Sequence, residues 1–365
     1  MRLATVIRSH SKTLALTGAL LAGTALLTGL VNVAPAAEPY VGYRVSKVIQ
    51  LPGKNPRWDH VSVDAANRNV LIGRRADGLW IYNMDSGDVK QVDQTKGTNG
   101  AAVAPELGLG MSDNGTFDSV TVFDLKTLAV KQNIKLKNDT DGVGWEPATK
   151  TAYTNNGESG TLTLFDPTTG KLGETIELNN TKSPEFFGAD GKGRVFVNLR
   201  DQNKIAVVDF KAKKLATVWP VDCVQPTGLY FEDKSDRLFV SCRGTKPVMA
   251  VVDPNSGKTI TTIPIGVNTD AVLWNPIDKF VMSPNGASGT LSVVKQENPD
   301  TYKPVETVST RINARTGTVD PKTGTVYLVA PESTAPAAPE GGKAPPVKYI
   351  SDSFSIIKIE KGQLD

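Results

Sequence analysis

Short runs in which apolar and polar residues alternate, broken every few positions by Gly, Pro, Asn or Asp, cover most of this chain. Residues 143–172 read VGWEPATKTAYTNNGESGTLTLFDPTTGKL. Three runs stand out there, GVGWE, KTAYTNN and TLTLFD, and GETIEL follows at 173–178. Thr, Val, Ile and Tyr dominate them, and Pro147-Ala148-Thr149, Asn156-Gly157 and Asp166-Pro167 stand between them. This is the chemistry of antiparallel strands joined by tight turns. One four-stranded sheet cannot bury both of its faces, so the stretch predicts neighbours of its own kind.

The neighbours recur. The turn between the first two strands returns at Asp64, Ala104, Glu146, Ala189, Glu232, Asn275 and Asp320, at spacings of 40 to 45 residues. A period in this range marks propeller blades. The pattern predicts an all-β fold, a single seven-bladed β-propeller of four-stranded antiparallel blades. The last repeat lacks an outer strand, and a spare run, YRVSKVIQL at 43–51, precedes the first. Residues 43–51 are therefore expected to complete blade 7 and close the ring, which removes two open sheet edges. A Pro/Ala/Gly-rich insertion at 331–349 interrupts blade 7 and is expected on the face where the chain enters the first strands.

Residues 1–36 stand outside this pattern. Arg2, Arg8 and Lys12 precede a long apolar run, and Ala34-Pro35-Ala36 closes it. That is the pattern of a secretory signal peptide, leaving 37–365 as the propeller in a periplasmic or secreted location. The whole chain has 41 basic and 38 acidic residues; the leader holds three of the basic ones and none of the acidic. The remainder is balanced, which gives nucleic acid or an anionic membrane no general pull on it. No second apolar run is long enough to span a bilayer. The expected form is a monomer.

The chain has two cysteines, Cys223 and Cys242. Cys223 falls in the loop entering the fifth repeat and Cys242 at the end of its second strand, at one end of neighbouring strands. In an exported protein this predicts a Cys223–Cys242 disulfide.

The blade text TAYTNNGESGTLTLFDPTTGK is similar to the YVTN repeat, most closely at Tyr153-Thr154-Asn155 and over 161–171. Further likeness lies in Trp58-Asp59, Pro184-Glu185, Pro226-Thr227-Gly228, Asn285-Gly286 and Ala314-Arg315-Thr316. The chain thus resembles the YncE-like exported bacterial propellers. The resemblance lapses in blade 2, where Asn114-Gly115-Thr116-Phe117-Asp118 replaces a Gly-Arg-Asp-Gly-like turn. It implies a seven-bladed periplasmic propeller and no single activity.

In such a fold the loops entering the first strands and the turns after the second strands share one face around the channel. The loops bring Arg57, Trp58, Asp59, His60, Asn99, Asp139, Asp141, Glu185, Gln225, Asp270 and Arg315. The turns bring Arg74, Arg75, Asp113, Asn114, Asn155, Asn156, Arg200, Arg243 and Asn285. The ligand-binding set expected from this convergence is Arg57, Trp58, Asp59, His60, Asn114, Asn156, Glu185, Arg243, Asp270, Asn285 and Arg315.

His60 is the sole histidine after the leader, so His-rich metal sites are excluded. There is no Gly-x-Ser-x-Gly elbow, Walker loop or dinucleotide fingerprint. Trp58 is the one aromatic expected at the mouth, too few for a nucleic-acid stacking platform. The chain reads as a binding or scaffold module, with no cofactor, for a small polar or anionic ligand or a protein partner. The alternative is a calcium-dependent, lactonase-like hydrolase in which Asp59, Glu185 and Asp270, with Asn156 or Asn285, hold the ion.

Overall fold

The structure, a computed structural model, describes residues 42–137, 140–334 and 347–362. The leader expected at 1–36 lies outside them. Seven four-stranded antiparallel sheets follow one another. Blade 1 runs Val61–Asp64, Asn69–Gly73, Leu79–Asn83 and Val89–Val92. Blade 2 runs Gly100–Ala104, Leu109–Asn114, Ser119–Asp124 and Val130–Lys135. Blade 3 runs Thr140–Glu146, Thr151–Asn156, Thr161–Phe165 and Leu172–Glu177. Blade 4 runs Pro184–Ala189, Arg194–Leu199, Lys204–Asp209 and Lys214–Pro220. Blade 5 runs Pro226–Glu232, Arg237–Cys242, Val248–Val252 and Thr259–Pro264. Blade 6 runs Leu273–Asn275, Phe280–Asn285, Thr290–Asn298 and Thr301–Ser309.

Blade 7 takes Thr316–Val319, Val326–Ala330 and Ser355–Lys361 from the C-terminal end and Tyr43–Gln50 from the N-terminal end. The closing strands pair from Tyr43 opposite Lys361 to Gln50 opposite Ser355. The seam is anchored on blade 6 as well. Asn275 Nδ2 donates to the Tyr43 hydroxyl at 2.7 Å, and the Tyr43 N–H donates to Glu306 at 2.9 Å. The ring closure expected from the spare strand is present.

Seven hydrophobic clusters form the core, one at each blade interface. Their residues come alternately from each strand. In RVFVNL of blade 4, Val195 and Val197 pack toward blade 3 while Phe196 packs toward blade 5. A strand covered on both faces needs apolar residues at successive positions, which is why the second and third strands read as near-continuous apolar runs.

Cys223 and Cys242 form the expected disulfide, with Cα atoms 6.1 Å apart. The insertion in blade 7 has structure at its base: Ser333–Thr334 pairs with Lys348–Tyr349 as a short ribbon. Asn313 Nδ2 donates to Ser333 Oγ at 3.0 Å, which fixes this ribbon to the loop entering blade 7. Residues 335–346 lie outside the described part.

Candidate functional site

Each blade is entered from the same face, and in blades 3, 4 and 5 the chain passes an irregular residue before its first strand settles into register. In blade 3, Thr140 faces Asn156 and Gly142 faces Asn155, which leaves Asp141 out of the ladder. In blade 5, Pro226 faces Cys242 and Gly228 faces Ser241, which leaves Thr227 out. Blade 4 skips from Pro184 to Phe187 and frees Glu185 and Phe186. A bulge of this kind re-aims a side chain. The equivalent positions around the ring are Asp59, Asn99, Asp141, Glu185, Thr227, Asp270 and Arg315.

Arginines just past the second strands meet this ring. Arg75 binds Asp59 and Asn99. Arg200 Nη1 lies 2.5 Å from Glu185 Oε1. Arg243 and Arg315 take opposite oxygens of the single Asp270 carboxylate. Arg243 Nε also donates to the Thr269 carbonyl at 2.6 Å, and the Asp270 N–H donates to the Arg315 carbonyl at 3.0 Å. The network links blades 1 and 2, then 5, 6 and 7. The carboxylates are nearly covered, while the four guanidinium side chains stay 21–38% exposed.

The charges sense one another across the mouth. Burial pushes Glu185 up to about 7, opposed by Arg200 and reinforced by Asp141. Burial pulls Arg243 down to about 10, opposed by Glu185 and reinforced by the like charges of Arg315 and Arg200. Asp113, fully buried, is held well above the carboxylate range by desolvation, against two hydrogen bonds from Asn99. The cause in each case is low-dielectric surroundings that disfavour the charged form.

The next residue inward is His60, Gly100, Gly142, Phe186, Gly228, Ala271 or Thr316. Most of these are small because neighbouring blades press together here; a Cβ on Gly228 would sit 2.6 Å from the Ala271 backbone. His60 and Phe186 are the large exceptions. Their ring centroids are 4.3 Å apart, although they come from blades 1 and 4 on opposite sides of the ring. The pair bridges the channel. Beyond it lies a chamber of about 450 Å³, whose lining includes Val61, Val63, Phe186, Leu229, Leu273 and Val319.

The structure thus brings Asp59, His60, Glu185, Arg243, Asp270 and Arg315 of the expected set to the mouth. Arg57 is exposed on the loop entering blade 1. The other four are elsewhere. Trp58, expected at the mouth, is 3% exposed in the core between blades 7 and 1. Its ring packs on Tyr349 and Phe354, and the Arg315 guanidinium caps it at 4.4 Å. Asn114, Asn156 and Asn285 are buried inside their own blades. Asn156 Nδ2 donates to Thr161 and Thr163 at 2.8 and 2.9 Å. Asn285 Nδ2 donates to Thr290 and Ser292 at 3.1 and 2.9 Å while its Oδ1 accepts from Ser283 at 3.0 Å. Asn114 bonds Ser112 and Thr121 in the same way. This asparagine locks the turn between second and third strands.

Arg74 is also off the ring, buried and bonded to the Asn55 carbonyl at 2.9 Å. Asp139 lies outside the described residues. Phe186 and Thr227 were not among the expected mouth residues; numbering the ring position in every repeat would have found both. The three carboxylates expected to share a calcium ion each face arginine instead. Among the described residues no group of three or more His, Cys, Asp or Glu gathers as a metal-holding set. No helix among them is long and apolar enough to cross a membrane.

No family model matches the sequence, and no curated protein matches it. Many solved propellers are similar in structure. A chain in the structure of Kuenenia stuttgartiensis hydrazine synthase is 12% identical with a TM-score of 0.65, over 76% of this chain and 94% of that one. A chain of the mitotic checkpoint complex is 13% identical with a TM-score of 0.69, over 84% and 96%. The RRP9 WD40 repeats are 9% identical with a TM-score of 0.70, over 88% and 100%. At such identities the likeness concerns the fold alone.

Proposed function

We propose that this chain is an exported propeller of the YVTN type that binds a small polar or anionic ligand, or a loop of a protein partner, at its channel mouth. The observation that carries this reading is the set of four guanidinium groups, from blades 1, 4, 5 and 7, held by fixed carboxylates around one opening. Planar forks positioned before the ligand arrives lose little freedom on binding. The leader-like start and the disulfide support export. Propellers of the same architecture stand within assemblies such as the mitotic checkpoint complex, which lends weight to a binding role.

Calorimetry with sulfate, phosphate and citrate tests the reading. Arg243→Ala and Arg315→Ala should each weaken the tightest of these at least tenfold with the fold intact by circular dichroism. Unchanged affinity in both variants, or no binding by the native protein, either to these anions or to the peptides described below, overturns it.

A further inference from the structure

The mouth is not uniform around its rim. Three residues before the ring positions Thr227, Asp270 and Arg315 stand Val224, Val267 and Ile312, which are 52%, 50% and 39% exposed. The same offset before Asp59, Asn99 and Glu185 gives Pro56, Lys96 and Lys182. Exposed aliphatic side chains at repeat-equivalent places therefore form an arc over blades 5, 6 and 7 only. Ile350, at the base of the blade 7 insertion, adds a fourth at 42%. Hydration of such an arc is unfavourable, and contiguous apolar surface rimmed by polar groups marks interaction sites.

The arc is rigid. The Gly244 N–H donates to the Val224 carbonyl at 2.9 Å, and the Ala287 N–H donates to the Val267 carbonyl at 3.1 Å. The Asn313 N–H donates to the Gly286 carbonyl at 2.7 Å and ties the Ile312 loop to the same blade 6 turn. The disulfide joins the residue before Val224 to the residue before Arg243. One covalent bond thus fixes a rim aliphatic beside a mouth guanidinium.

Two cations converge inside the arc. Arg243 and Arg315 take opposite oxygens of one carboxylate, Asp270, and each side chain stays about a fifth exposed on this side of the mouth. Arg315 is further fixed face-on against Trp58. Anchored arginines ringed by residues that exclude water are the usual centre of a protein interface.

Resting on the binding role proposed above, we infer that the blade 5–7 arc docks an extended segment of a partner protein in which a carboxylate lies between aliphatic side chains. The carboxylate reaches inward to Arg243 and Arg315, and the aliphatic side chains cover Val224, Val267 and Ile312. Complementary charge gives the register and burial of the rim gives the affinity.

An immobilised heptapeptide library tests this, with Asp, Asn or Lys at the centre and aliphatic or Ser/Thr residues on either side. The native protein should be retained best by Asp-centred, aliphatic-flanked peptides and at least tenfold less by the Asn-centred set. Val267→Asp and Ile312→Asp, both at exposed positions, should each reduce retention at least tenfold with unchanged melting temperature. Lys182→Ala on the opposite rim should leave it unchanged, and reduction of the disulfide should weaken it. Retention that follows the central Asp but ignores the flanks and both rim variants would overturn the arc and leave the small-anion reading standing. Retention of no peptide overturns it too. So does a native dimer that becomes monomeric in Val267→Asp, since the arc would then cover a second copy.

Discussion

Burial pushes Glu185 up to about 7 from an ordinary value of 4.5, even with Arg200 against it. Between those two values the folded protein holds a proton that the unfolded chain has lost. Stability must therefore fall as pH rises through this window and level off above it. A shift of this size corresponds to about 3 kcal/mol at full expression. Urea unfolding at pH 5, 6, 7 and 8 should show the slope, and Glu185→Gln should remove most of it. Protonation also takes one negative charge from the mouth, so anion affinity should rise on acidification in the native protein and stay flatter in Glu185→Gln. Asp320 titrates with the opposite sign. Burial pushes it up, but bonds from Arg68 and Thr323 outweigh that and hold it at about 2. Its contribution is present above the ordinary carboxylate range and is lost as pH falls toward 2. Asn285 shows how residue type misleads at this scale. It resembles a ligand amide in the sequence, yet its three hydrogen bonds all close its own turn. Asn285→Ala strands buried hydroxyls and should cost about 2 to 3 kcal/mol in urea unfolding while leaving anion binding intact.

Most of the strands are legible in the sequence, because each blade repeats the same alternation and the same turn chemistry. The Asp or Glu that opens the first turn is bonded to backbone N–H groups two and three residues on, as at Glu146 and Glu232. Those bonds depend only on local sequence, so local sequence reveals them. The mouth was legible only in part. Whether Trp58 faces the channel or the blade interface depends on Tyr349 and Phe354, nearly 300 residues away, and no local pattern carries that. The opposed rings of His60 and Phe186 depend in the same way on the closed circle. The disulfide lies between these cases: its residues are 19 apart, but only the blade geometry places them together. A double change, Cys223→Ala with Cys242→Ala, should lower stability by about 3 kcal/mol in the chain-entropy model, measured by urea unfolding. It should also loosen Val224 and Arg243, so hydrogen exchange at 224–226 and 243–244 should quicken while blade 3 keeps its protection.

Six blades of this ring are each one continuous stretch of chain, and the seventh is assembled from both ends. Rupture of any other ladder leaves the circle covalently joined through its neighbours, but rupture between Tyr43–Gln50 and Ser355–Lys361 opens it. The ladder there is held by backbone hydrogen bonds, by Tyr43 against Asn275 and Glu306, and by the ion pair of Lys361 with Asp278. The outward face of the closing strand is mostly exposed and contributes little burial. Opening of the whole molecule should therefore begin at this seam. Lys47 and Lys358 are directly opposed across it, so Lys47→Cys with Lys358→Cys would close a loop of roughly 300 residues. The chain-entropy model gives about 6 kcal/mol for a loop of that length, less whatever strain the bond introduces. A cross-link within blade 2, between Ser119→Cys and Lys135→Cys, spans a short loop and leaves the seam untouched. If the seam governs opening, the first variant should slow unfolding in denaturant and raise the melting temperature under oxidising conditions, reversibly on reduction. The second should change the unfolding rate far less. Equal unfolding rates for the oxidised and reduced seam variant would place the first opening event elsewhere in the ring.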